Sequence, residues 1–160
     1  MFRILLITAL FFSFIGNSYA QDDQVKSFLD ELEFKYEVDS DNDFKLTFEF
    51  EDDRSQLIFI NGSIEVYQEV DVVEIWAPVM RFKGNLSKKV ANKVLATSNQ
   101  KKIGAFEIRE SVDVKEKLLV YVTKIPLDSI TAEQFGAFLH HVLVVADEEE
   151  KELTKGKDDW

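Results

Sequence analysis

Phe44, Leu46, Phe48 and Phe50 alternate with Lys45, Thr47, Glu49 and Glu51. A period of two, apolar on one side and polar on the other, is the pattern of a β-strand that buries a single face. A sheet built from such strands needs a second layer on its apolar side, so this run constrains the chain more than any other. Alternation starts earlier, with Phe34, Tyr36 and Val38 leading into a polar turn at residues 39–43, and resumes after Asp52-Asp53 in residues 56–60. Asn61-Gly62 then favours a tight hairpin, while the polar residues 67–69 allow a longer loop instead. A fourth strand is expected over residues 70–77, ended by Pro78. Two more are expected over 103–109 and 117–124, joined through residues 111–116, with Pro126 stopping the second.

Three segments supply the covering layer. Val25, Phe28, Leu29 and Leu32 recur at helical spacing behind an Asp22 or Asp23 cap. Residues 85–99 place Val90, Ala91, Val94 and Leu95 on one face and Lys88, Lys89 and Lys93 on the other. The last helix opens with a capping box, Thr131 and Gln134, with Ile130 placed to staple onto Phe135, and continues through Phe138, Leu139, Val142, Val145 and Ala146. Residues 147–150 then load its end with negative charge against the helix dipole, which predicts fraying there. The order is α-β-β-β-β-α-β-β-α: an α+β fold, an antiparallel sheet of five to six strands with helices packed on one face. Residues 21–154 form a single domain, followed by a tail over 155–160 expected to be disordered.

The first twenty residues have the three parts of a secretory signal: a positive start at Arg3, an apolar run from Ile4 to Ile15, and small residues at Ser18 and Ala20 before the cut. Twelve positions are too few for a spanning helix, which needs about 20. The expectation is cleavage after Ala20, a periplasmic or secreted location, and no stable membrane insertion afterwards. The chain has no Cys. That excludes disulfides, zinc–thiolate sites and cysteine nucleophiles, and leans an exported domain toward the bacterial periplasm.

Losing Arg3 takes the formal net charge from −11 to −12, a field that repels nucleic acid. The charge is polarised. Arg81, Lys83, Lys88, Lys89, Lys93, Lys101 and Lys102 lie in one stretch without an acid. The face of the middle helix carrying Lys88, Lys89 and Lys93 is either a solvated surface or a dock for an acidic partner or for the protein's own acidic surface.

No catalytic or cofactor constellation emerges. Asp39-Ser40-Asp41-Asn42-Asp43 opens like a calcium loop, but Phe44 and Phe50 stand where an EF-hand needs Gly and a bidentate Glu. His140 and His141 are adjacent, so on a helix they diverge by about 100° and cannot chelate one metal together. No nucleophile elbow and no Gly-rich phosphate loop is present. The reading is therefore of a protein that is not an enzyme, with no metal site and no cofactor. One surface stands out: opposite the core stripe of the last helix lie Ala137, His140, His141 and Val144, a face without a formal charge, which is either the interface of a homo-oligomer or a second buried face covered by the sheet or a loop.

The short motifs Glu74-Ile75-Trp76-Ala77-Pro78, Gly104-Ala105-Phe106-Glu107, Ile125-Pro126-Leu127 before Thr131-Ala132-Glu133-Gln134, and Ala146-Asp147, together with the strand over 56–60, resemble those of the YbjN-like family. The resemblance covers roughly residues 25–150. It implies the fold of the type III secretion chaperones and a regulator or adaptor role without catalytic residues. The functional expectation is an exported binding module acting through a protein partner. The alternative is a carrier of a small apolar ligand, with Phe44, Phe48, Phe50 and Trp76 lining its pocket.

Overall fold

A computed structural model describes residues 23–50, 53–110 and 116–160. The signal segment over 1–20, Asp52 of the expected turn and most of the 111–116 connection lie outside the described residues. The elements are α1 (Asp23–Glu31), β1 (Glu37–Val38), β2 (Phe44–Glu49), β3 (Ser55–Ile60), β4 (Glu65–Tyr67), β5 (Val70–Phe82), α2 (Lys88–Ser98), β6 (Ala105–Glu110), β7 (Lys117–Pro126) and α3 (Ala132–Thr154). The sheet is antiparallel and runs β1-β2-β3-β5-β7-β6, with β4 paired to β5 beside β3. It has one strand more than the sequence order predicts.

The extra strand comes from a turn that sequence chemistry conceals. β4 and β5 are joined at Gln68 and Glu69, both with positive φ (49° and 71°), the backbone of a two-residue hairpin that normally recruits Asn-Gly. The Asn61-Gly62 pair serves another purpose. A Cβ on Gly62 would stand 1.8 Å from the Asn42 carbonyl oxygen, so this glycine lets the β3–β4 loop press against the β1–β2 turn. That turn uses its own carboxylates: Asp39 accepts from the Asp41 and Asp43 amides, and Asp43 accepts from Gly62. The segment that opens like a calcium loop is a capped hairpin turn.

β5 does not end at Pro78. It continues to Phe82 against β7, with a register shift between Pro78 and Met80. The missing proline N–H is felt on the other edge. Backbone pairing of β3 with β5 covers only Phe59↔Trp76 and Ile60↔Ile75. Beyond it, the buried Gln56 side chain donates to the Pro78 carbonyl at 2.9 Å, so an amide stands in for a ladder bond.

One face of the sheet carries Phe44, Leu46, Ile58, Ile60, Val73, Ile75, Leu119, Tyr121 and Ile125, all buried. α3 lies across it on β3, β5 and β7, and α1 packs on α3. Phe28 meets Phe135 with ring centroids 5.4 Å apart, and Leu32 touches the space a Cβ on Gly136 would take. The capping box at Thr131 and Gln134 is formed in both directions. On α2, Val94 is buried as its spacing predicts, whereas Leu95 is 67% exposed.

The acidic end of α3 is the main departure from expectation. Instead of fraying, the helix continues to Thr154, and Asp147, Glu149 and Glu150 are buried. Arg54, just before β3, bonds Asp147 through Nε at 3.0 Å and Glu150 through Nη2 at 2.9 Å. Lys93 pairs with Glu149 and, at 2.9 Å, with Glu152. Opposite charge from other elements outweighs the helix-dipole term, which is worth only about 0.3–1 kcal/mol. Residues 155–160 also contact the domain: Ser55 N and Asp159 N donate to Asp158 and Glu150 respectively, and Trp160 lies under the Arg81 guanidinium at 4.3 Å.

Arg54 is one charge facing two carboxylates. Burial, with Asp158 and Asp159 adding negative charge nearby, pushes the Glu150 carboxyl up to about 7 despite Arg54. A carboxyl raised in the folded state contributes stability that is complete below its unfolded value and is lost as pH rises through about 7. Glu150→Gln therefore flattens the loss of stability between pH 5 and pH 9, by on the order of 2 kcal/mol. Urea unfolding at the two pH values checks this; parallel pH dependence in variant and wild type contradicts it.

Candidate functional site

The β6 strand stops short of its neighbour. It pairs β7 from Ala105↔Val122 to Glu110↔Lys117, which leaves residues 123–126 of β7 without a strand partner on that side among the described residues. The chain arrives there from α2 through Ile103 and Gly104. Gly104 has φ of +79°, and a Cβ would lie 2.6 Å from the Val122 carbonyl oxygen and 2.9 Å from the Tyr121 ring. No other residue type fits this approach without moving backbone.

Tyr121 holds the segment in place. Its hydroxyl donates to the Ile103 carbonyl oxygen, and His141 Nε2 lies 3.3 Å from the Tyr121 hydroxyl oxygen. With the phenol proton committed to Ile103, His141 is the donor of the pair. Burial raises the Tyr121 phenol to about 12, so the phenol keeps its proton near neutral pH.

Two adjoining depressions result, sharing Ile103 and Phe138. One, of about 420 Å³, follows the open end of β7 between Gly104, Ile125 and Pro126. The other, of about 550 Å³, lies between Ile103 and the first half of α3, with Ile130, Ala137 and Phe138 as its apolar wall and Lys102, Ser129, Gln134 and His141 at its polar margin. The combination of apolar floor and a few polar groups is that of a binding groove. In the second depression His141 contacts Tyr121, and its lining residues include no acidic side chain.

The residues singled out from sequence divide around this groove. Ala137 and His141 line it; His140 is exposed beside it and Val144 is half-buried a turn further along. Lys93 is absorbed by α3 through Glu149 and Glu152, and Lys101 reaches Glu148 at 3.6 Å. Lys88, Lys89 and Lys102 are exposed and make no ion pair among the described residues. The basic stretch is thus partly spent on the protein's own acidic surface. The pocket of Phe44, Phe48, Phe50 and Trp76 expected for a carrier does not form. Phe44 shares the covered face with Ile60 and Ile75, so the next residue, Trp76, points to the opposite side. There Trp76 stacks on Phe59 at 4.3 Å, beneath the Arg109 guanidinium. Burial opposes ionisation at Glu74, but Arg109 and Lys124 outweigh it and hold that carboxyl below its ordinary value. Among the described residues, no group of three His, Asp or Glu side chains is placed to hold a metal, and no helix is long and apolar enough to cross a membrane.

Gly104→Ala should cost about 2 kcal/mol or more, because left-handed backbone strain adds to the clash with Val122. Its signature is loss of the Tyr121–His141 contact, read as a shift in the His141 ring resonances. A variant as stable as wild type with an unchanged His141 spectrum contradicts the role given to Gly104.

Comparison with known proteins gives one family. The family model described as "Putative bacterial sensory transduction regulator", YbjN, matches residues 21–154. A crystal structure described as YbjN, "a putative transcription regulator from E. coli", aligns at 16% identity and a TM-score of 0.49, covering 82% of this chain and 90% of that one. No curated protein matches. The family match, spanning most of the sequence, supports a regulatory or binding role, and on it we conclude that the chain is a member of the YbjN family.

Proposed function

We propose that this YbjN-family member is an exported, non-catalytic regulatory module that binds a protein partner in the groove between Ile103 and α3. The observation that carries the reading is the groove itself: apolar at Ile103, Ile130 and Phe138, held open by Gly104 and the Tyr121–His141 pair. Lys102 stands at its margin, and Lys88 and Lys89 are exposed on the helix that precedes it. The segment that fits is an extended or helical peptide with one or two apolar anchors flanked by acidic residues, since charge complementarity favours such a partner over others. Export rests on the first twenty residues, with Arg3, the apolar run and Ser18/Ala20 as signal, and places the binding event in the periplasm or outside the cell.

A photo-crosslinking residue at Ala137, introduced into the protein expressed in its own host, tests both parts. The expected result is an exported protein whose intact mass begins at Gln21, with an adduct to one defined protein from position 137 and none from Thr47 on β2. Lys102→Glu should reduce that adduct by about tenfold. Retention of residues 1–20 overturns export, and the absence of a protein adduct overturns partner docking. Native mass spectrometry showing instead a bound small molecule would favour the carrier reading, which the groove's volume also suits.

A further inference from the structure

β6 is the long unpaired edge of the sheet among the described residues. The opposite edge, β1, has only two residues, too short to template another chain, whereas β6 offers six residues without a proline or a bulge. We propose that β6 pairs with the β6 strand of a second copy of this chain, antiparallel about Ile108, so that one sheet runs through both copies.

The direction of the backbone groups supports this register. The Phe106 amide donates to the Ser98 side chain at 3.3 Å, so it points away from β7. Backbone groups alternate along a strand, which sends the N–H and C=O of Ile108 and Glu110 outward as well and leaves those of Glu107 and Arg109 to the β7 ladder. Pairing about Ile108 then makes it a doubly hydrogen-bonded pair with its own counterpart. Glu110 N–H meets the Phe106 carbonyl of the second copy on either side. Ser98, by occupying the Phe106 amide, marks where pairing stops.

The side chains are self-complementary in that register and in few others. Ile108 is 51% exposed, an apolar residue at the centre of an edge where exposed strands usually carry charge to prevent pairing. On the two-fold axis it packs against itself. Its neighbours have opposite sign, so Glu107 of each copy faces Arg109 of the other. Arg109 is held in a fixed orientation over Trp76 by Glu74 and retains guanidinium donors for a second carboxylate. A slip by one residue would set Glu107 against Ile108, and a parallel arrangement would oppose like charges. The occupant that matches this edge is therefore the chain itself. The contact lies on the sheet edge and does not use Ala137, His140, His141 or Val144.

Sedimentation velocity on the purified protein at about 50 µM tests the assembly. The wild type is expected to be a dimer, and Ile108→Lys and Glu107→Arg are each expected to be monomers at the same concentration, with dissociation constants raised at least about tenfold. Both substitutions are on exposed positions, and circular dichroism verifies that the fold is kept. Mixing Glu107→Arg with Arg109→Glu is expected to restore a one-to-one heterodimer, because each exchanged charge again meets its opposite. Should Arg109→Glu lose its fold, the other two variants decide. A wild-type monomer overturns the proposal. So does a dimer indifferent to both Ile108→Lys and Glu107→Arg, or one that Val144→Glu on α3 dissociates in their place.

Discussion

Arg54 is the charge that lets the rest of the molecule close. α3 is the principal cover of the sheet, and its second half carries acids that must lie against an apolar surface. Burying Asp147 and Glu150 without a counterion would cost several kcal/mol each. Arg54 enters from the residue just before β3, almost wholly buried, and bonds both, with Lys151 beside Asp147 at 3.1 Å. With that pair in place the helix keeps its full 23 residues, the tail follows Glu150 and Ser55 around the end of the sheet, and Trp160 reaches Arg81. The position of the first half of α3, which forms one wall of the groove, follows from how the second half is anchored.

The sequence announces those parts of the fold in which one residue type has one physical role. The alternation of Phe44 to Phe50 marked a one-faced sheet, and the Thr131–Gln134 capping box located the start of α3 to the residue. Pro126 did end β7. Where a residue acts through distant neighbours, the local pattern does not carry its role. Residues 147–150 looked like a frayed end because the helix dipole is a local effect, while Arg54 is 93 residues away in sequence. Gln68-Glu69 concealed a tight turn because its backbone is imposed by β4–β5 pairing rather than preferred by those side chains. Pro78 suggested the end of a strand, yet only one of β5's two edges needed the missing N–H.

The candidate site was legible only in fragments. Ala137 and His141 emerged from the uncharged face of α3, but Tyr121 reads as an ordinary core position in β7 and Gly104 as one glycine among six. A groove made by the shortfall of one strand relative to its neighbour leaves no periodic signal. The glycine before Ala105-Phe106 was the available hint, since a residue without a side chain at the entrance to a strand marks a close backbone approach. The basic stretch shows the reverse: conspicuous in sequence, it is partly neutralised by α3 through Lys93 and Lys101, so its functional remainder is smaller than its charge.

Hydrogen exchange along α3 tests the role of Arg54 most directly. In the wild type, amides from Val142 to Glu150 should be protected to a degree comparable with those of Phe138 and Leu139. In Arg54→Leu, protection from Asp147 onward should fall by about tenfold or more, because Glu150 loses its guanidinium partner while Asp147 keeps Lys151 at 3.1 Å, and the first turns of the helix keep theirs. Wild-type amides beyond Ala146 that exchange like a frayed end, or protection that survives the loss of Arg54, would contradict this account.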